Sequence, residues 1–199
     1  MESNNFILLL GIIAVIVAVF NMFVSLDRVG TITGYATDTA TVNLTIESLT
    51  AINFTIDNLN FGSGQVAYGQ ANATINTASG TVTGGNWSAN NTGLTLENIG
   101  NTNVTLAFKA GKTAAEFIGG TNPEYQWNFT NAEAGSCTVV NVTEGSFYPV
   151  NTTADLNICN DFVYNNTKDK LRIDFRIVIP SDAVPGAKGD LITATATAI

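Results

Sequence analysis

The apolar segment at residues 6–26 constrains the fold of this chain more than any other feature. It reads FILLLGIIAVIVAVFNMFVSL, and its first polar side chain is Asn21. At about 1.5 Å per residue, a helix of this length spans roughly 31 Å, close to the roughly 30 Å hydrocarbon core of a bilayer. A helix that is apolar on every face must be buried, either in lipid or among other helices. We therefore predict an apolar N-terminal helix within residues 1–30 that forms a filament core or a membrane anchor.

Two other roles for this segment fit the sequence less well. A cleavable signal peptide has a positively charged start, a shorter apolar stretch of about 7–15 residues and a small-x-small cleavage site. Residues 1–5 contain no Lys or Arg, and no such site follows residue 26. A core helix of a soluble domain is disfavoured because no polar side chain interrupts the first fifteen residues of the segment. We keep both roles as alternatives to an anchor or an assembly helix.

If the helix drives assembly, large apolar side chains along its length make the contacts. These side chains are Phe6, Leu9, Leu10, Ile13, Ile16, Val17, Phe20, Phe23 and Val24.

The charge and the residue types that are missing exclude several classes of protein. The 199 residues carry a net charge of −8 with only 8 Lys and Arg. The basic surface that nucleic-acid binding requires is therefore missing, and we predict no nucleic-acid partner. Histidine is absent, which removes the commonest general base and the commonest metal ligand. The about 170 residues that follow the helix are enough for one domain with its own core.

Beyond residue 30 the apolar pattern changes to a period of two, which is typical of half-buried strands. The alternating apolar positions are Val42, Leu44, Ile46, Ile52, Phe54, Ile56, Val104, Leu106, Phe108, Leu171, Ile173, Phe175, Ile177 and Ile179. Gly, Asn and Pro turn signals separate these runs. No amphipathic helix is indicated after residue 30, apart from a short turn at KTAAEFIGG.

These patterns predict a mainly β fold, an antiparallel immunoglobulin-like β-sandwich preceded by one long apolar helix. We expect two domains, the helix at 1–30 and the sandwich at 31–199. Residues 27–40 are interpreted as a hinge or first strand, residues 93–108 as a hairpin, and residues 190–199 as a final strand.

The chain has 2 cysteines, Cys137 and Cys159. Two cysteines in an otherwise cysteine-free chain are compatible with one disulfide in an oxidising compartment. We predict this disulfide, with two inert buried thiols as the alternative.

Asn-x-Ser/Thr sequons are in excess, against about four expected by chance from the Asn, Ser and Thr content. They begin at Asn43, Asn53, Asn72, Asn86, Asn90, Asn103, Asn128, Asn141, Asn151 and Asn165. Alternating strands with Asn and Thr on their polar face also produce this motif by themselves. The same geometry places the sequons on the solvent face, so we predict covalently attached glycans and an extracellular or cell-surface location.

No sequence motif indicates catalysis. The chain lacks a nucleophile elbow, a P-loop and a His-based metal motif. A calcium site among the oxygen ligands of residues 155–169 is an alternative to a simple polar loop. We predict no enzyme activity, no catalytic or metal-binding residue and no cofactor.

The layout of "FILLLGIIAVIVAVFNMF", joined by a short hinge to a Thr/Asn-rich strand domain with many sequons, resembles archaeal surface-filament subunits, the archaellins and type IV pilin-like proteins. The resemblance covers the whole chain. It implies that the N-terminal helices bundle into a filament core and that glycosylated β domains form the sheath. Such subunits usually carry a short basic leader, so we expect either that Met1 follows its removal or that this chain is not processed in that way.

From this resemblance we expect a structural subunit of an extracellular filament that polymerises with itself through the helix and is stored in the membrane before assembly. A single-pass anchored surface glycoprotein, such as an adhesion or envelope module, is the alternative. A further alternative is a matrix fibre whose copies join by strand donation, with residues 31–46 as the donated strand.

Overall fold

The computed structural model describes residues 2–29, 40–88 and 90–199. Helix α1 runs over Glu2–Val29, 28 residues without a break. The predicted apolar helix is therefore confirmed and extends a few residues beyond the apolar run at each end. The expected hinge at 27–40 falls largely on residues 30–39, which lie outside the described part of the chain.

The regular structure in the rest of the described chain is β, apart from one short helix. The strands are β1 Ile52–Ile56, β2 Asn72–Asn76, β3 Thr81–Thr83, β4 Leu94–Asn98, β5 Val104–Ala110, β6 Glu124–Asn131, β7 Tyr148–Pro149, β8 Leu156–Phe162, β9 Lys170–Pro180 and β10 Ile192–Ala198. A one-turn helix, α2 Ala114–Phe117, follows β5 and begins at a capping box between Thr113 and Glu116. The mainly β antiparallel fold preceded by a long apolar helix is confirmed.

The larger sheet is organised around the long strand β9. On one side β9 pairs with β6 over eight residues, and β6 continues to β7. On its other side β9 pairs first with β4 and then with β2, which continue to β1 and β3. All of these pairings are antiparallel. One strand thus supports two short branches of the same sheet.

The smaller sheet has three strands in the order β10-β5-β8, and both pairings are antiparallel. Its central strand β5 alternates perfectly, and Val104, Leu106 and Phe108 are fully buried. These strand assignments confirm the predicted runs at 104–108, 171–179 and 190–199. The immunoglobulin-like part of the predicted fold class stays a prediction.

Aromatic side chains dominate the core. The ring of Phe108 on β5 meets Trp127 on β6 edge-on, with ring centroids 6.4 Å apart, and meets Phe54 on β1 at the same distance. Phe108 and Trp127 are fully buried. Burying one large apolar side chain contributes about 1.5–3 kcal/mol, so this group is a substantial source of stability in the β unit.

The expected hairpin at 93–108 is wrong. Strand β4 pairs with β1 and β9 in the larger sheet, whereas β5 pairs with β10 and β8 in the smaller one. The buried Asn98 holds the chain where it crosses between them, because its Nδ2 donates to the carbonyls of Thr102 and Phe162, both at 3.1 Å. A side chain that satisfies backbone groups at a corner replaces the tight turn that the sequence suggested.

The strand expected at 42–46 is also wrong, since residues 40–50 contain no strand. Alternation shows only that a segment is amphipathic, and a strand also needs an edge to pair with. The chain divides into two compact units, Met1–Thr45 and Ile46–Ile199. We refer to the second as the β unit.

Candidate functional site

The apolar surface of helix α1 is the first candidate site. Residues Phe6–Ser25 are long and apolar enough to cross a membrane by length and composition, and none of them is buried. The nine predicted assembly side chains are all exposed, including Ile13 at mid-helix with 49% of its surface accessible. Exposed apolar side chains on every face of a long helix require an apolar environment, which lipid or other helices supply.

Two details of α1 suit close packing. A Cβ atom placed on Gly11 would have no neighbouring atom within 4 Å, so the space above this residue is open. Gly11 lies in a shallow apolar groove lined by Ile7, Leu8, Ile12, Val15 and Ile16. The side-chain amide of Asn21 donates to the Val17 carbonyl at 2.9 Å, one turn earlier. The one amide within the apolar run thus has an acceptor inside its own helix, which lowers the cost of burying it.

The predicted glycosylation sites differ in accessibility. The side chains of Asn43, Asn53, Asn72, Asn86 and Asn165 are exposed. At Asn165 the Oδ1 atom accepts hydrogen bonds from both the backbone N–H and the hydroxyl of Thr167. A glycan is attached through the Nδ2 atom of asparagine. At these exposed positions the side chain that carries Nδ2 is accessible to solvent in the folded chain.

Three other sequons have an asparagine whose amide donates a hydrogen bond within the fold, and of these Asn141 is still exposed. Asn128 on β6 is only 3% exposed, and its Nδ2 donates to the Gly145 carbonyl at 3.4 Å. The Nδ2 atoms of Asn103 and Asn141 donate to Asp161 at 2.7 Å and to Asn160 at 3.0 Å. The remaining two, Asn90 and Asn151, are half-buried. The sequon pattern therefore overstates how many asparagines the folded chain offers for modification.

Cys137 and Cys159 are joined by a disulfide, and Cys159 is fully buried in β8. The bond lies beside a short ladder in which residues 136–141 run along the outer side of β8. Thr138 donates its N–H to Asp161 at 3.0 Å, and Asn160 donates to Val139 at 2.8 Å. The disulfide therefore holds a loop against a sheet edge that would otherwise be open.

Charged side chains form two clusters on β9. Lys170 lies 3.0 Å from Glu133, 3.5 Å from Glu97 and 3.8 Å from Asp169. The hydrogen bond to Glu133 raises the pKa of Lys170. The Asp169 N–H, together with Lys170, lowers the pKa of Glu133, while burial and the charge of Glu133 raise the pKa of Asp169. One ammonium thus faces three carboxylates, and the cluster keeps a net negative charge when all of them are ionised.

The second cluster is deeper. The guanidinium of Arg172 donates two hydrogen bonds of 2.8 Å to the carboxylate of Asp174. The hydroxyl of the fully buried Thr77 donates to Asp174 at 2.7 Å and accepts from the N–H of Phe175 at 2.9 Å. This network could not be predicted from the sequence, because Thr77 is nearly a hundred residues from Asp174 and Phe175 and no local pattern links them.

The alternative calcium loop at 155–169 is dispersed in the fold. Asp155 lies 3.9 Å from Lys109, Asp161 accepts hydrogen bonds from Asn103 and Thr138, and Asp169 belongs to the Lys170 cluster. Among residues 2–29, 40–88 and 90–199, no three His, Cys, Asp or Glu side chains are grouped to hold a metal ion. The arrangement that the structure shows here is a set of ion pairs and hydrogen bonds.

Comparison of the sequence with protein-family models gives no match, and comparison with curated proteins gives none either.

Proposed function

We propose that this chain is a structural subunit of an extracellular filament, in which α1 helices bundle as the core and the β units form a glycosylated outer surface. The observation that carries the proposal is the exposed apolar surface of α1 over Phe6–Ser25. Such a helix can be buried in a bilayer or among its own copies. Filament growth is then the transfer of α1 from lipid into a bundle.

The groove at Gly11 favours a bundle over a simple anchor. Apolar side chains gain little by leaving lipid for another apolar environment, so association of helices in membranes depends on close packing at small residues. Gly11 allows the backbone of a neighbouring helix, or a large side chain from it, to approach closely. The exposed sequons on the β unit suit the outer surface of such a filament.

The proposal is tested by electron microscopy of material sheared from cells without detergent. Uniform filaments with a regular subunit repeat are expected for the wild-type chain. Ile13→Asp places a carboxylate in the middle of α1, where burial of an unpaired charge is costly, so we expect filaments to disappear. Ile13→Leu is the matched control and should leave them intact.

A second variant separates assembly from insertion. Gly11→Leu keeps the helix apolar, so the amount of chain in the membrane fraction should not change, but the side chain fills the groove. We expect a clear fall in sheared filaments at constant membrane content. Single particles that appear only in detergent extracts of wild-type membranes would instead identify the chain as an anchored surface module.

A further inference from the structure

Residues 41–47 have alternating apolar side chains but belong to no strand. Val42, Leu44 and Ile46 alternate with Thr41, Asn43 and Thr45. The three apolar side chains are 92%, 84% and 80% exposed. Apolar side chains at every second position are typical of a half-buried strand. In this segment, however, no described residue covers the apolar side chains. We call residues 41–47 the donor segment.

Strand β10 offers a long open sheet edge. All seven residues of Ile192–Ala198 pair with β5 in one continuous register, without a bulge. No other described strand pairs with β10. The strand reads ITATATA, with no Pro and no charged side chain. Natural proteins usually blunt an edge with a short strand, a bulge, a Pro, a charge or a covering loop, and among residues 40–88 and 90–199 nothing protects β10 in these ways.

The other edges in the described ranges are protected in these ways. Strand β1 has a register shift between Phe54 and Ile56. Strand β3 has three residues, and β7 has two, of which one is Pro149. The outer side of β8 is occupied by residues 136–141. The contrast identifies β10 as the edge at which an added strand meets no structural obstacle.

The side chains of β10 match the donor segment in spacing and size. Ile192, Ala194 and Ala196 are half-buried and pack against the core, whereas Thr193, Thr195 and Thr197 are exposed. Two of the three inward positions are alanine. Because alanine is small, larger apolar side chains from an added strand could pack beside it. The donor segment has the same length, seven residues, with larger apolar side chains on one face and polar ones on the other.

We propose that the donor segment of one copy adds as a strand to the free edge of β10 in a second copy. The unpaired N–H and C=O groups of β10 bond to the donor backbone, and the donor's three apolar side chains cover the core beside the alanines. The inference rests on the proposed function in that it names a second contact between subunits, but the contact itself does not use helix α1.

The test uses cysteine cross-linking between full-length copies. Both native cysteines are disulfide-bonded, so engineered cysteines supply the free thiols. Two differently tagged chains are co-expressed, one with Asn43→Cys and the other with Thr195→Cys, and the membrane fraction and the sheared material are oxidised. Thr193→Cys and Thr197→Cys replace Thr195→Cys in parallel, to cover register shifts of two residues.

A cross-linked dimer carrying both tags is expected with at least one of the three β10 cysteines. Its yield should exceed by about tenfold that with Lys188→Cys, a matched exposed position outside the sheets, because ladder pairing holds the thiols together. Leu44→Asp in the donor chain should remove this excess, whereas Val184→Asp, at another exposed apolar residue, should not. Both are surface changes, and mapping of the Cys137–Cys159 bond checks that each variant folds.

Yields equal to the Lys188→Cys control at all three positions would overturn the inference. Electron microscopy of the same samples separates this outcome from failure of the proposed function. Filaments without the cross-link would reject strand addition alone. The cross-link without filaments would support strand addition and reject the helix-bundle filament.

Discussion

At the scale of single residues, hydrogen bonds between distant side chains explain features that no sequence motif reveals. Thr77 satisfies the Asp174 carboxylate and the Phe175 N–H at once. Asn98 satisfies two carbonyls from separate parts of the chain. Each of these groups is buried, and a buried polar group that loses its partner is destabilising by about 1–3 kcal/mol. Their contribution can be measured by removing one atom at a time.

Thr77→Val should lower the free energy of unfolding by about 1–3 kcal/mol, because valine has the same shape but leaves the N–H of Phe175 without a partner and removes one hydrogen bond from Asp174. Urea unfolding in detergent, followed by the fluorescence of the buried Trp127, measures the change. Thr83→Val on β3 removes an exposed hydroxyl and should stay within about 0.5 kcal/mol of wild type. Equal effects of the two substitutions would show that the Thr77 network is not stabilising.

Glycan occupancy should follow accessibility. We expect Asn53, Asn72, Asn86 and Asn165 to be modified more often than Asn128, since a glycan on Asn128 would break its bond to Gly145 and has no space in the fold. Mass spectrometry of glycopeptides from native material measures the occupancy of each site. A folded protein with a glycan on Asn128 would contradict its buried position.

At the scale of elements, the sequence predicts strands well and their pairing poorly. β5 alternates over its whole length and β9 over most of its N-terminal part, interrupted by the buried Asp174, because one face lies on the core. Pairing depends on distant partners. The apparent hairpin at 93–108 fails because Asn98 makes a corner, and the segment at 42–46 has the pattern of a strand but no strand partner in the described chain.

The same limit applies to the candidate site. The apolar helix was predictable because its signal lies within one segment, and the disulfide because the chain has one pair of cysteines. The Asn-Phe-Thr motif at Asn128 could not show that Trp127, Asn128 and Phe129 are all buried, on both faces of β6. A three-residue motif contains no information about what covers the second face of a strand.

Removing the disulfide tests the protection of the β8 edge. Its cysteines are 22 residues apart, and a loop of that size corresponds to about 3 kcal/mol in the chain-entropy account. The double substitution Cys137→Ala and Cys159→Ala should lower the free energy of unfolding by about that amount. Hydrogen exchange should accelerate at residues 136–141 before it changes in β5, and uniform acceleration would contradict a local role.

The Lys170 cluster predicts a pH-dependent effect. Because the pKa of Glu133 is lowered in the folded state, Glu133 stabilises the fold at pH values above the ordinary pKa of Glu. This stability is lost as the pH falls through the lowered pKa. Because the pKa of Lys170 is raised in the folded state, Lys170 stabilises the fold at pH values below the ordinary pKa of Lys. This stability is lost as the pH rises through the raised pKa. Lys170→Gln should therefore lower the melting temperature at neutral pH, where the surrounding carboxylates are charged.

The difference in melting temperature between wild type and Lys170→Gln should shrink towards about pH 3, where Asp and Glu become neutral. Thermal melts across this range measure it. Lys109→Gln is the matched control, because Lys109 lies 3.9 Å from one exposed carboxylate, Asp155. A difference that stays constant with pH would show that Lys170 acts through packing of its alkyl chain alone.

At the scale of the whole molecule, the boundary in the sequence between the two compact units falls at residue 45, and the exposed donor segment spans that boundary. A protease needs an extended, accessible stretch of chain. A Glu-specific protease should therefore cut detergent-solubilised chains first after Glu47 and release the rest of the β unit. Mass spectrometry of the early products identifies the cut, and a first cut within β4 or β6 would contradict this boundary.

The loop fastened by the Cys137–Cys159 bond has a consequence for the geometry of growth. Because that loop closes one side of the three-stranded sheet, a copy that joined others through β10 would have one acceptor and one donor, which differ from each other. Such head-to-tail joining is heterologous and does not close a pair upon itself. Where successive rotations do not close a ring, it produces an unbranched chain with two distinguishable ends, and new copies arrive in a single orientation.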